Sequence, residues 1–197
     1  MPADTSLAGT DVPGRQVFID AALFLGMHSA DDGLRVACKA FFVERLAGRV
    51  VMNLEQVGHC DDVIWSHSRE LQDLYYPFMD QLHTVMDISR VAYDAADVRL
   101  ALSGSAVPRR LPFTDRLLLA MVVNRRGLLH TTGPRSAAFA GLPVHAETAR
   151  PAGVPEPSFP EPLERLYRAS LALRLPADRL GTPAAGRAGR GTVPEGV

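Results

Sequence analysis

The feature that most constrains this chain is a short apolar run, VFI at 17–19, that ends abruptly on Asp20. A continuous apolar run is typical of a strand covered on both faces, as in a parallel sheet. The pattern returns at 50–52, which Glu55 closely follows, and Asp115 lies in the first turn of a later predicted helix. Residues just past the carboxyl ends of parallel strands share one crevice. Because three acids there would repel one another without a cation, they predict a divalent-metal site.

Length and composition indicate a single soluble domain. The 197 residues are 47% hydrophobic and 22% charged, which is ordinary for a globular protein. No segment approaches the roughly 18 to 20 apolar residues that a membrane span needs, and residues 1–15 lack the order of a secretion signal. We therefore expect a cytoplasmic protein without membrane contact. A net charge of −1 gives no electrostatic footprint for nucleic acid over the whole chain.

Strand-like and helix-like segments alternate between residues 16 and 148, which predicts βαβ units and a mainly parallel α/β sheet of four or five strands. The predicted strands are 17–19, 50–52, 88–93, 128–131 and 142–145. The predicted helices are 34–46, 54–65, 71–86, 94–102 and 115–124, with Asn53 and Thr114 as N-caps. Residues 1–15 are expected to form a flexible arm. Residues 149–197 are expected to form a Pro/Gly-rich tail with a short helix near 163–175 and a disordered end.

Four short motifs follow one another between residues 17 and 132. They are VFID at 17–20, Glu55 at a helix start, TDRLLLA at 114–120 and LLHTT at 128–132. With them, residues 16–145 resemble a PIN domain. PIN domains are metal-dependent nucleases whose clustered acids hold Mg²⁺ or Mn²⁺, ions that prefer carboxylate oxygens.

The resemblance implies a three-layer α/β/α fold and a hydrolase, a ribonuclease, with RNA as its leading substrate. It further implies that Asp20, Glu55 and Asp115 are both the metal ligands and the catalytic residues. The metal would activate a water for attack on the phosphodiester. Since PIN-like domains often pair, helix 71–86 could be the interface of a homodimer.

One position departs from the family pattern. PIN nucleases commonly carry another acid after the fourth strand, where this chain has Thr132 followed by Gly133 and Pro134. Thr131 or Thr132 could still act through a bound water, but the loss puts a two-metal mechanism in doubt.

Two further side chains are expected to bind substrate together with Thr132. Arg116 adjoins the third acid, and His28 lies in the loop or helix start after the first strand. The charge of a histidine changes near neutral pH, so His28 could serve as a general acid. The acids at 31 and 32 that follow it are equally explained as a helix cap.

Which metal the site would bind depends on whether His59 is a ligand. Glu55 and His59 are four residues apart, so they share a helix face and could ligate one ion together. A mixed nitrogen and oxygen set suits Mn, Fe or Zn better than Mg. The alternative is that His59 only hydrogen-bonds its neighbours. His130, inside a predicted buried strand, is interpreted as a core histidine.

Two other functions remain open. The neutral chain and the missing fourth acid favour a metalloenzyme that acts on a small molecule in biosynthesis. A non-catalytic binding module would have kept only part of the site. Tightly held Fe, Mn or Zn would indicate the first, because Mg²⁺ sites usually keep several waters.

Overall fold

A computed structural model describes residues 14–133 and 136–181 of the chain. Most of the predicted arm (1–13) and the predicted disordered end (182–197) lie outside the described residues. Within the described part, five strands form one sheet: β1 (Val17–Ile19), β2 (Arg49–Asn53), β3 (Asp87–Val91), β4 (Leu128–Thr131) and β5 (Val144–Ala146). All four strand pairings are parallel, which confirms the predicted α/β sheet.

Seven α-helices accompany the sheet in the ranges that the structure describes. They are α1 (Ala21–Gly26), α2 (Asp32–Glu44), α3 (Leu54–Trp65), α4 (Arg69–Val85), α5 (Ala95–Ser103), α6 (Phe113–Asn124) and α7 (Leu163–Ser170). Short 3₁₀ turns follow at Ser136–Phe139 and Ala177–Arg179. No helix within these ranges is long and apolar enough to cross a membrane.

Strand order fixes where a site can form. The order is β3-β2-β1-β4-β5, so the chain moves outward from β1 through β2 to β3 and then returns to the other side of β1 for β4. The order therefore reverses between β1 and β4. In open parallel sheets this switch point leaves a crevice beyond the carboxyl ends of the two strands. Residues that follow β1 and β4 meet at that crevice.

Successive strand residues face two separate cores, as the pleat of a sheet requires. Phe18 and Leu129 pack with residues of α5 and α6 on one face. Ile19 and Met52 pack with α1 to α4 and α7 on the other face. The two cores on opposite faces of one sheet give the three-layer arrangement that the sequence predicts.

The described C-terminal region (150–181) packs into the core that contains Ile19 and Met52, which we call the larger core. Phe159, Tyr167 and Leu180 are buried in it. Lys39 of α2 is also fully buried, and its ammonium donates hydrogen bonds to Glu156 (2.8 Å) and Glu164 (2.9 Å). The domain predicted for residues 16–148 therefore continues through residue 180.

Several element boundaries differ from the prediction. Helix α6 begins at Phe113 after Pro112, so Thr114 lies inside its first turn and is not the N-cap. Helix α7 ends at Ser170, since the chain then extends so that Leu175 forms a bridge with Ser29. Helix α4 runs continuously through Pro77, and its Tyr75, Phe78 and Leu82 are buried in the core of the same chain.

Candidate functional site

The crevice between β1 and β4 holds the first predicted acid in a fixed position. Asp20 follows β1, and its Oδ1 accepts a hydrogen bond from the backbone N–H of Leu23 at 2.9 Å, which caps α1. Its Oδ2 accepts a hydrogen bond from the hydroxyl of Thr131, the last residue of β4. Two donors from neighbouring elements therefore orient a carboxylate that is only 7% exposed.

A second acid reaches the same crevice from far along the chain. Asp115 lies in the first turn of α6 and is also 7% exposed. Asp20 and Asp115 line one cavity of about 300 Å³. The wall also includes Thr131, Thr132, Gln56 and, from the C-terminal region, Asp178. We call this cavity the acid pocket.

The electrostatics of the acid pocket disfavour ionisation of Asp20. Burial is the main cause that raises its pKa from 3.8 to about 6, and the charge of Asp115 raises it further. The hydrogen bonds from Thr131 and Leu23 act in the opposite direction. A carboxylate in this setting gains from a proton or from a cation, because either one removes uncompensated negative charge.

Glu55 lies beside the acid pocket, whose wall in the described structure contains Gln56 instead. Asn53 caps α3 by accepting from the Glu55 N–H at 2.7 Å. The next residue, Gln56, contacts the start of α1, where its Oε1 accepts from the Ala21 N–H at 3.1 Å. Glu55 is half-buried and accepts a hydrogen bond from the Tyr93 hydroxyl at 2.6 Å. Burial and Glu55, with smaller contributions that include Asp115, hold the pKa of Tyr93 well above its usual range.

His59 contacts the C-terminal region. Its Nε2 lies 2.8 Å from the carbonyl oxygen of Gly181, another residue of the pocket wall. This bond holds α3 to the segment 177–181, of which Ala177, Asp178 and Gly181 line the acid pocket. The predicted role of His59 as a metal ligand would require Nε2 to leave this carbonyl or the ion to be bound through Nδ1.

His28 does not lie at the acid pocket. It is fully buried among Tyr75, Phe78 and Tyr167, with ring centroids 5.0 to 5.9 Å away, and its Nε2 is 2.8 Å from the Ser170 hydroxyl. Burial is the main cause that lowers its pKa to about 3. A neutral histidine inside the core cannot act as the general acid that the sequence suggested.

The other two predicted substrate residues have different positions. Arg116 donates to the backbone carbonyl of Ala101 at 3.0 Å and lies over the Phe113 ring at 5.1 Å, so it joins α6 to α5 and is not part of the pocket wall. Thr132 does line the acid pocket, and its hydroxyl donates to the carbonyl of Glu147 at 3.1 Å. The structure thus brings Asp20, Asp115 and Thr132 together.

Two groups of residues were missed by reasoning from the sequence. Asp178 and Gln56 of the acid pocket carry no pattern of their own. A second polar cluster, His130, His145 and Glu147, lies at the adjacent strands β4 and β5. The sequence offers one sign of this cluster: a histidine near the end of one strand and another histidine near the end of the next. That sign can be interpreted only when the order of the strands in the sheet is known.

Comparison with known proteins yields one family. Residues 10–180 match the family model of DUF6190, described as a family of unknown function. A search of curated proteins found no match to the chain.

Proposed function

The chain belongs to the DUF6190 family, whose function is unknown, and we propose that it is a PIN-like ribonuclease that depends on a divalent metal. The observation that carries the proposal is the convergence of Asp20 and Asp115, two buried carboxylates from distant parts of the sequence, in one cavity at the switch point of the sheet. The resemblance of 17–20 and 114–120 to PIN motifs supports it.

The donor set of the acid pocket fits a hard divalent cation. Asp20 and Asp115 would hold Mg²⁺ or Mn²⁺, and Asp178 offers a further carboxylate on the same wall. When bound, the ion supplies an activated water and neutralises charge that develops on the phosphate. Thr131 keeps Asp20 in one orientation, and Tyr93 does the same for Glu55 beside the pocket.

Substrate would be held by groups at the mouth of the acid pocket. Arg110 and Arg179 are exposed; along the chain Arg110 lies two residues before the wall residue Pro112, and Arg179 follows the wall residue Asp178. Arginine fits phosphate oxygens well because its planar guanidinium donates two parallel hydrogen bonds. Contacts of this kind position a polynucleotide without selecting its sequence.

Cleavage assays test the proposal. The full chain, stripped of metal and supplied with Mn²⁺ or Mg²⁺, is expected to cut members of a panel of RNA and single-stranded DNA oligonucleotides. Asp20→Asn and Asp115→Asn are expected to lower the rate by about 100-fold or more, the scale seen when a group that stabilises transition-state charge is removed. Glu70→Gln is the matched control, since Glu70 is an exposed acid in the first turn of α4. An uncut panel, or full activity in both variants, refutes the proposal.

A small-molecule substrate is the second candidate, favoured by the apolar part of the wall. Leu118, Leu129 and Phe139 contribute to the acid pocket, and its volume of about 300 Å³ is at the lower end for ligand sites. A metalloenzyme of this kind would retain stoichiometric Fe, Mn or Zn through dialysis. Elemental analysis of the dialysed wild type and of Asp115→Asn separates the two candidates, because only a metal held in the acid pocket is lost from the variant.

A further inference from the structure

The second polar cluster is assembled by strand register. His130 of β4 and His145 of β5 are direct partners in the parallel pairing. Side chains of paired residues project from the same face of a sheet, and residue 147, two positions after 145, continues on that face. His130 packs on the Phe41 ring of α2 at 4.8 Å. The cluster therefore lies on the α2 face, whereas Leu129 and Thr131 point to the acid pocket on the other face.

The three side chains converge at metal-ligand spacing. Nδ1 of His130 lies 3.1 Å from Oε1 of Glu147, and Nε2 of His145 lies 3.6 Å from the same oxygen. One ligand atom from each of the three lies within 4.8 Å of the others. Bonds of about 2.0 to 2.1 Å to a tetrahedral Zn²⁺ place neighbouring ligand atoms about 3.3 Å apart. The two short distances bracket that value.

The backbone holds the carboxylate in place. The N–H of Glu147 donates to the Thr131 carbonyl at 2.8 Å, and its own carbonyl accepts from the Thr132 hydroxyl at 3.1 Å. His130 is 1% exposed, while the side chains of His145 and Glu147 are 36% and 21% exposed. An ion would thus have a rigid inner ligand, an entry path and room for a solvent ligand.

We propose that His130, His145 and Glu147 form a binding site for Zn²⁺, with water as the fourth ligand. Two neutral imidazoles and one carboxylate suit Zn²⁺ and leave one position open. This site is separate from the acid pocket, and the proposal does not depend on the nuclease activity. The competing explanation is an ion pair between Glu147 and protonated imidazoles, in which no metal is needed.

Zinc titration of the full chain tests the site. Protein stripped with chelator and desalted is titrated with Zn²⁺ against a chromophoric competitor, and with Co²⁺ to record the intense visible bands of tetrahedral coordination. One equivalent is expected to bind. His145→Ala and Glu147→Gln are expected to weaken binding by about 100-fold or more, since even outer-shell partners cost about 10- to 100-fold. Both positions are partly exposed, so both variants are expected to fold.

Two controls define the location of the ion. His67→Ala removes a histidine at the end of α3 and Asp115→Asn alters the acid pocket, and both are expected to keep wild-type zinc affinity. Wild-type protein that takes up no equivalent of Zn²⁺ overturns the proposal. So does His145→Ala with undiminished affinity, or loss of binding in Asp115→Asn, which would place the ion in the acid pocket.

Discussion

The acid pocket and the histidine cluster lie one residue apart on β4, at Thr131 and His130, yet they are built differently. The acid pocket gathers two carboxyl groups from distant segments, Asp20 and Asp115, and burial disfavours the ionisation of Asp20. The histidine cluster combines groups of complementary chemistry, because Glu147 faces both imidazoles. The buried carboxyl of Asp20 thus lacks a cationic partner on the described pocket wall, whereas the carboxylate of Glu147 has both imidazoles as neighbours.

The two regions also differ in what supports them. Strand pairing and the backbone bonds of Glu147 are enough to form the histidine cluster. The acid pocket additionally depends on the C-terminal region, which contributes Ala177, Asp178 and Gly181 to its wall. Changes that release the C-terminal region should therefore open the pocket and leave the cluster intact.

The largest expected effect comes from Lys39→Met. Lys39 is fully buried and pairs with Glu156 and Glu164. Burial of Glu156 opposes its ionisation, but hydrogen bonds from Arg35 and Lys39 outweigh this effect and lower its pKa to about 2. Removing one partner of a buried pair costs about 3 to 5 kcal/mol. Urea unfolding measures the loss, and limited proteolysis should cut first within 150–181. Arg69→Met, which breaks an exposed pair with Asp73, is the control and should cost under about 1 kcal/mol.

Asp20→Asn should stabilise the metal-free protein at neutral pH. The folded carboxyl keeps its proton until about pH 6, whereas the unfolded one loses it near 3.8. The contribution of Asp20 to wild-type stability therefore falls as pH rises from 4 to 6 and stays lower above it, by about 3 kcal/mol in total. Denaturant unfolding in the presence of chelator should show a higher free energy of unfolding for Asp20→Asn than for the wild type at pH 8. The two values should be nearly equal at pH 4. Equal stabilities of the variant and the wild type at both pH values would show that burial does not raise the pKa of Asp20.

Metal-dependent stabilisation should separate the two regions. An ion at 100 times its Kd raises the free energy of unfolding by about 2.7 kcal/mol. Asp115→Asn should lose the stabilisation by Mn²⁺ and keep that by Zn²⁺, and His145→Ala should do the reverse. Thermal melts with each ion measure both. Loss of both effects in one variant would mean that the two regions are not independent.

The smallest effect concerns a histidine that is fully buried in the core. The buried His28 has a pKa lowered to about 3 from 6.5, so only the unfolded chain takes up its proton as pH falls below 6.5. Stability lost through this group between pH 7 and 5 is about 2 kcal/mol. His28→Phe should lose less stability over that interval than wild type does, as unfolding at the two pH values would show. Equal losses in the variant and the wild type would indicate that burial does not lower the pKa of His28.

Periodicity and strand ends predicted most of the architecture. The apolar runs that became β1, β2 and β4 are buried on both faces, and the alternation with helices gave the parallel sheet. The positions of Asp20 and Asp115 near the carboxyl edge of the sheet were predictable, because Asp20 directly follows a strand and Asp115 lies in the first turn of a helix. Helix α1 was not, since its six residues are all buried and show no polar face from which a helical period could be read.

The rest of the site depends on information that local sequence does not contain. Whether Glu55 or Gln56 faces the start of α1 depends on the rotation of α3 by one residue, which the Asn53 cap and the packing of α3 decide together. Asp178 reaches the acid pocket only because the larger core holds Leu180 in place. His130 and His145 meet only because β5 adds next to β4.

The position of residues 177–179 has a consequence for how this family can diversify. They are exposed, contribute no strand to the sheet and border the pocket, while the fixation comes from Leu180 and from the bond between His59 and Gly181. Substitutions there would alter what enters the pocket at little cost to folding. In the proposed nuclease, selectivity would then lie in a short surface turn and the chemistry at the strand ends, so that the two could evolve separately.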